Sequence, residues 1–177
     1  VGRASGIKMC YAALTKGTSA LYTALLTAAE ALDLSGPLKD ELISSQGDAY
    51  KRMEAQVPGL PANASRWIGE MEEIAATFEQ AGVTPHFHLG AAEIFRMLSQ
   101  TPFAQEAPEA FDGSRTLAET ISAIHDSPTR AALAITGCGP ASPRWAVFII
   151  AARVDSIGRF GSERNAATPA SVLSASA

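Results

Sequence analysis

Residues 5–33 read SGIKMCYAALTKGTSALYTALLTAAEALD, and the fold class depends on how they are read. The stretch has no proline and one interior glycine after its first turn, Gly17. Leu14, Leu21, Leu25 and Ala28 recur at helical spacing, so the pattern predicts one continuous helix. Ser5 is the expected N-cap, because its hydroxyl can accept from an unpaired first-turn N–H. Leu34-Ser35-Gly36-Pro37 is the expected stop, with Gly36 suited to a C-cap and Pro37 suited to opening the next element. At the α-helical rise this rod is about 43 Å long. The helical residues after it are too few to cover it, so partner helices in a homodimer are expected to cover each other. Gly17 is expected to mark the close approach of another backbone.

Beyond the rod, short helices are predicted over 38–45 and 48–56, stopped by Pro58-Gly59. A longer one carries Trp67, Met71, Ile74, Ala75, Phe78 and Ala81 on one face and ends at Gly82. Thr84-Pro85 opens a helix bearing Phe87, Ala91, Ile94, Phe95 and Leu98, which Thr101-Pro102 closes. A weaker helix covers 114–124. No stretch before residue 126 alternates with period two, so the expected fold is all-α, a helical bundle around one long N-terminal helix. Alanine, the best helix former, supplies 34 of the 177 residues and supports this.

Composition divides the chain. Residues 1–125 hold nine basic and fifteen acidic side chains, whereas 126–177 hold five, all arginine, against three. From Asp126 on, Pro, Gly and Ser accumulate, and the run at 145–150 is strand-like. The expected organisation is therefore a helical domain over 1–125 and an atypical tail over 126–177, poorly ordered or loosely docked. The net charge of −4 argues against a nucleic-acid or anionic-membrane partner. No run is long and apolar enough to span a bilayer. Two cysteines, Cys10 and Cys138, cannot make a disulfide scaffold, and with no signal peptide in the sequence a cytoplasmic location is expected. The opening at Val1 reads as part of something longer.

Lys8 is the residue with the most chemical promise. It lies about one turn into the long helix, after a Gly/Ser-rich entry, among Ile7, Met9, Cys10 and Ala12. Apolar neighbours would desolvate it and lower its pKa, allowing proton exchange with a substrate oxygen. The bland alternative is a surface lysine laying its stem on the helix. His86-x-His88 with Glu93 is not expected to bind metal, since i,i+2 positions on a helix point apart. Glu70, Glu72 and Glu73 read as a solvated face, Cys10 as a small apolar filler, and Asn63-Ala64-Ser65 as a helix-capping cluster.

The stretch Gly2-x-Ala4-x-x-x-Lys8-Met9, with Gly17 beyond, resembles the start of the helical C-terminal domain of the 6-phosphogluconate and 3-hydroxyisobutyrate dehydrogenase superfamily. More narrowly, residues 4–17, Trp67-Ile68-Gly69-Glu70-Met71-Glu72-Glu73-Ile74 and Gly82-Val83-Thr84-Pro85 resemble the family described as the putative C-terminal domain of NAD-binding phosphogluconate dehydrogenase-like proteins. The resemblance implies an oxidoreductase whose separate Rossmann domain binds NAD or NADP, acting on a small-molecule hydroxy acid or related carbonyl compound. Lys8 matches the catalytic lysine by position, a general acid/base for the substrate hydroxyl. Gly2 and Ala4 would lie toward the cofactor, and Ser5, Tyr11, Thr15 and Trp67 toward the substrate.

Three features depart from the pattern. The second lysine that hydroxyisobutyrate-type enzymes carry on a later helix has no counterpart near residues 67–73. The superfamily's asparagine four residues after the lysine is Ala12, and the carboxylate that 6-phosphogluconate dehydrogenase places seven residues after it is Thr15. Oxidative decarboxylation of phosphogluconate is therefore not implied. Tyr11 and Thr15 share the Lys8 face and are candidates to replace those contacts. The sequence itself has no dinucleotide fingerprint: Gly137-Cys138-Gly139-Pro140 lacks the third glycine, and proline removes a needed N–H. Cofactor binding is thus expected mainly outside this chain. The competing expectation is a non-catalytic all-helical dimerisation or interaction domain with Lys8 solvated.

Overall fold

The computed structural model describes residues 2–127, and among these every regular element is a helix. The rod is α1, Arg3–Ala31, followed by α2, Ser35–Ser45, and α3, Gly47–Gln56. A 3-10 turn at Val57–Gly59 leads into α4, Pro61–Gln80. Then come α5, His86–Ser99, a second 3-10 turn at Pro102–Gln105, and α6, Leu117–His125. The expected all-α bundle around a long first helix is what forms. The tail expectations, including the run at 145–150, the Gly137-Cys138-Gly139-Pro140 segment and Cys138, lie outside the described residues.

The core is built from α4 and α5, an αα-hairpin whose facing sides place Met71, Ile74, Phe95 and Leu98 out of contact with water. Met53 of α3, Val57 and Leu60 close one side, and Ile121 and Ile124 of α6 close another. The hairpin turn is a Schellman-type stop. Gly82 takes φ +75°, and the Val83 N–H donates to the Phe78 carbonyl at 2.9 Å. A capping box starts α6: the Thr116 hydroxyl accepts from the Glu119 N–H, and the Glu119 carboxylate accepts from the Thr116 N–H.

Four local expectations are corrected. The N-cap of α1 is Gly2 and Ser5 lies inside the helix, because Arg3 and Ala4 are good helix formers and nothing stops the helix earlier. The left-handed stop after α1 is Asp33, φ 56°, with the Leu34 N–H donating to the Ala29 carbonyl at 2.8 Å; Gly36 instead falls within α2. What closes on Gly17 is a side chain and no backbone, since a Cβ there would sit 3.3 Å from the Phe87 ring of α5. Asn63 lies within α4 and caps nothing, its side-chain oxygen accepting from Arg66 at 2.9 Å.

The rod overhangs the bundle. Its first buried residue is Ala13, and Gly2 to Ser5, Ile7, Lys8, Cys10 and Tyr11 are exposed. From Ala13 on, Gly17, Ala20, Thr23 and Thr27 form the face turned to the other helices.

Candidate functional site

One cavity of about 640 Å³ opens beside the middle of α1, between that helix, α3 and α4. Helix α1 contributes Thr15, Lys16, Ser19 and Tyr22, spaced so that they share one side of the rod. Helix α3 contributes Arg52, and α4 contributes Asn63 and Trp67. Trp67 is set edge-on against the fully buried Phe95, ring centroids 5.3 Å apart at 78°, so its plane is fixed from behind.

Lys16 is the best-anchored cation of this wall. Its Nζ donates to the Glu70 carboxylate across from α4 and lies 5.6 Å from the Trp67 ring centroid. Glu70 also faces Arg66 at 3.7 Å. The expected solvated face of α4 is thus partly a paired one: Glu70 meets Lys16 and Glu72 meets Arg96 of α5, whereas Glu73 is exposed as expected. Arg52 is exposed at the rim, and the nearby Tyr22, with a smaller contribution from Asp48, raises its already high pKa.

The far wall is Phe111, carried by the segment between the second 3-10 turn and α6. Gly59 makes room for it, since a Cβ there would lie 3.3 Å from the ring. Arg115 pins this segment down. It is buried, donates to the Pro58 carbonyl at 3.0 Å, pairs with Glu106 and lies 3.8 Å over the Phe103 ring. Its hydrogen bond, more than any other influence, holds the Glu106 carboxyl below the usual carboxylate range.

The sequence candidates separate into two places. Thr15 and Trp67 line the cavity. Lys8, Ser5, Tyr11, Gly2 and Ala4 stand on the overhanging end, all exposed. The desolvation expected for Lys8 is not supplied by the described residues, because Ile7, Cys10 and Tyr11 themselves face solvent. Cys10, expected as a filler, is an exposed free thiol. No Cβ clash surrounds Gly2, so the rod's start is open to an approaching surface. Of the His86-x-His88 pair, His86 is exposed while His88 is buried with the Phe78 and Phe87 rings at 4.3 and 5.4 Å. No group of three or more potential metal ligands converges among the described residues. None of their helices is long and apolar enough to cross a membrane.

Sequence reasoning missed Lys16, Arg52, Phe111 and Arg115. Lys16 left a faint signal: it lies in register with the α4 carboxylate only once the two helices are paired, but its one-turn offset from Ala12 and Ala13 already placed it near the buried side. Arg52 reaches the cavity only through the packing of α3 on α1, and Arg115 meets the Pro58 carbonyl 57 residues away, although its other partner, Glu106, is nine residues off.

Residues 29–98 match the family described as a domain of unknown function, DUF1932. The DUF1932 match runs from the last turn of α1 through α5, so it takes in Arg52, Trp67 and Glu70 and leaves out Lys8, Thr15 and Lys16. No curated protein and no solved structure matches the chain.

Proposed function

We propose that this chain is the C-terminal substrate-binding and dimerisation domain of an NAD(P)-dependent oxidoreductase of the hydroxy-acid dehydrogenase or reductase type. The DUF1932 match supports this, because that domain is known in 3-hydroxyisobutyrate dehydrogenase-like proteins. The observation that carries it is the overhang: a lysine one turn into a rod, with Ile7 and Tyr11 beside it 71% and 69% exposed, is a face suited to being covered. A nucleotide-binding domain docked there would exclude water from Lys8 and supply the desolvation that the helical bundle lacks.

The described residues have no strand and no glycine-rich phosphate cradle, so they do not themselves fit a dinucleotide. On this reading the cofactor is held by another domain, with Gly2 and Ala4 leaving room beside it, and it supplies the hydride acceptor or donor. Lys8 takes the substrate hydroxyl proton during oxidation and returns it during carbonyl reduction. Ser5 and Tyr11 are proposed to face the substrate on the overhang beside Lys8, the Tyr11 hydroxyl offering a polar group that Ala12 cannot. Thr15 and Trp67 are proposed to face it from the cavity, where the Thr15 hydroxyl also donates to the Tyr11 carbonyl at 3.2 Å.

Lys8→Ala in the full-length protein tests the assignment. With a panel of small hydroxy acids and NAD or NADP, kcat should fall by about 10²–10⁴ while the circular dichroism spectrum is unchanged. Unchanged turnover would instead support the non-catalytic interaction domain.

A further inference from the structure

The chain is acidic, and residues 1–125 hold fifteen acidic side chains against nine basic ones. The described lining of the cavity beside α1 has the opposite sign: it holds Lys16 and Arg52 and no carboxylate, the nearest acid acting on Arg52 being Asp48, one turn earlier on α3. Glu70 balances Lys16 from behind, which leaves the Arg52 guanidinium at the rim as the cation presented outward. The rest of the lining is largely apolar, with Trp67, Leu60, Phe111 and Leu14 providing a floor and walls. Trp67 is held by Phe95, and Phe111 stands over Gly59, so the apolar surface is formed before any ligand arrives. A volume of about 640 Å³ is within the range of small-molecule sites.

We propose that this cavity binds an organic monoanion with an aromatic or branched apolar body, its charged end held by Arg52 with Lys16 behind, and its body lying on Trp67 and Leu60. A planar guanidinium suits a carboxylate through two parallel N–H donors. Tyr22, Asn63 and Thr18 offer further polar contacts on the lining. The inference deepens the reading of Thr15 and Trp67 as substrate-facing. It requires neither cofactor nor turnover, so it can fail while the Lys8 assignment stands, and the reverse.

Isothermal titration of the 177-residue chain with 4-phenylbutyrate, and separately with the uncharged 4-phenylbutan-1-ol, tests it. The carboxylate should bind saturably below about 10 mM, and the alcohol at least about fivefold more weakly. Arg52→Gln, at an exposed position, should weaken the carboxylate by about fivefold or more and leave the alcohol unchanged, while Lys51→Gln should change neither. Trp67→Leu should weaken both. The proposal is overturned by absent saturation, by equal binding of acid and alcohol, or by equal losses in Arg52→Gln and Lys51→Gln.

Discussion

His88 is a titratable ring held in an apolar slot. It is buried, its Nδ1 has no hydrogen-bond partner among the described residues, and the Phe78 and Phe87 rings stand edge-on to it. Burial lowers its pKa below 6.5, since the imidazolium loses its water here. Below 6.5 the unfolded chain therefore binds more protons than the folded one, and stability falls as pH drops through that value. Its loss should approach at most about 1.4 kcal/mol per pH unit. His88→Leu keeps an apolar side chain in the slot and removes this dependence. Urea denaturation at pH 7.5 and 5.5 should show a larger loss for the natural chain than for the variant; parallel losses would rule out the buried neutral imidazole. Glu106, Asp112 and Glu119, all held below the usual carboxylate range, act in a separate window at lower pH. The sequence showed His88 as one of a pair with no reason to converge on a metal, but its aromatic cage depends on α4 meeting α5 and was not legible.

Among the helices and turns, punctuation was readable and its fine placement was not. Pro58-Gly59, Gly82 and Thr101-Pro102 interrupt helices where their backbone chemistry requires, and the breaks fall at those residues. Gly36 had the same character, yet the chain turns three residues earlier at Asp33, which accepts a left-handed conformation because a short polar side chain tolerates it better than most. That choice has a cost. Asp33→Gly should stabilise the chain by about 0.5–1 kcal/mol, because glycine occupies φ > 0 without Cβ strain and the Leu34-to-Ala29 hydrogen bond is retained. Thermal denaturation reads this directly, and a lowered Tm would show that the Asp33 side chain has a role the backbone does not explain. The candidate site follows the same division. Thr15 and Trp67 were visible on their own helices, whereas Lys16–Glu70 and Arg115–Pro58 join elements whose pairing is set only by the packed core.

For the chain in full, the exposed side of α1 is as ordered as its buried side. Ile7, Leu14, Leu21 and Ala28 recur every seven residues, with Tyr11, Thr18, Leu25 and Leu32 interleaved at the other seam position. Of these, Ile7, Tyr11, Leu14, Leu21 and Leu32 are at least half exposed. Ile7 and Tyr11 belong to the overhang proposed to meet a nucleotide-binding domain, Leu14 and Thr18 line the cavity, and Leu25 packs against the core. The surface left for a second copy is therefore Leu21, Ala28 and Leu32 at the C-terminal end of the rod. That exposed patch, together with helix length, supports the proposed homodimer. Sedimentation equilibrium of the 18.5 kDa chain should then give twice that mass at about 100 µM, and Tm should rise with concentration. Leu21→Glu places a charge on this patch, at a position exposed in the single chain, and should shift the species to monomer with helicity preserved. A natural chain that sediments at 18.5 kDa at that concentration would overturn the homodimer.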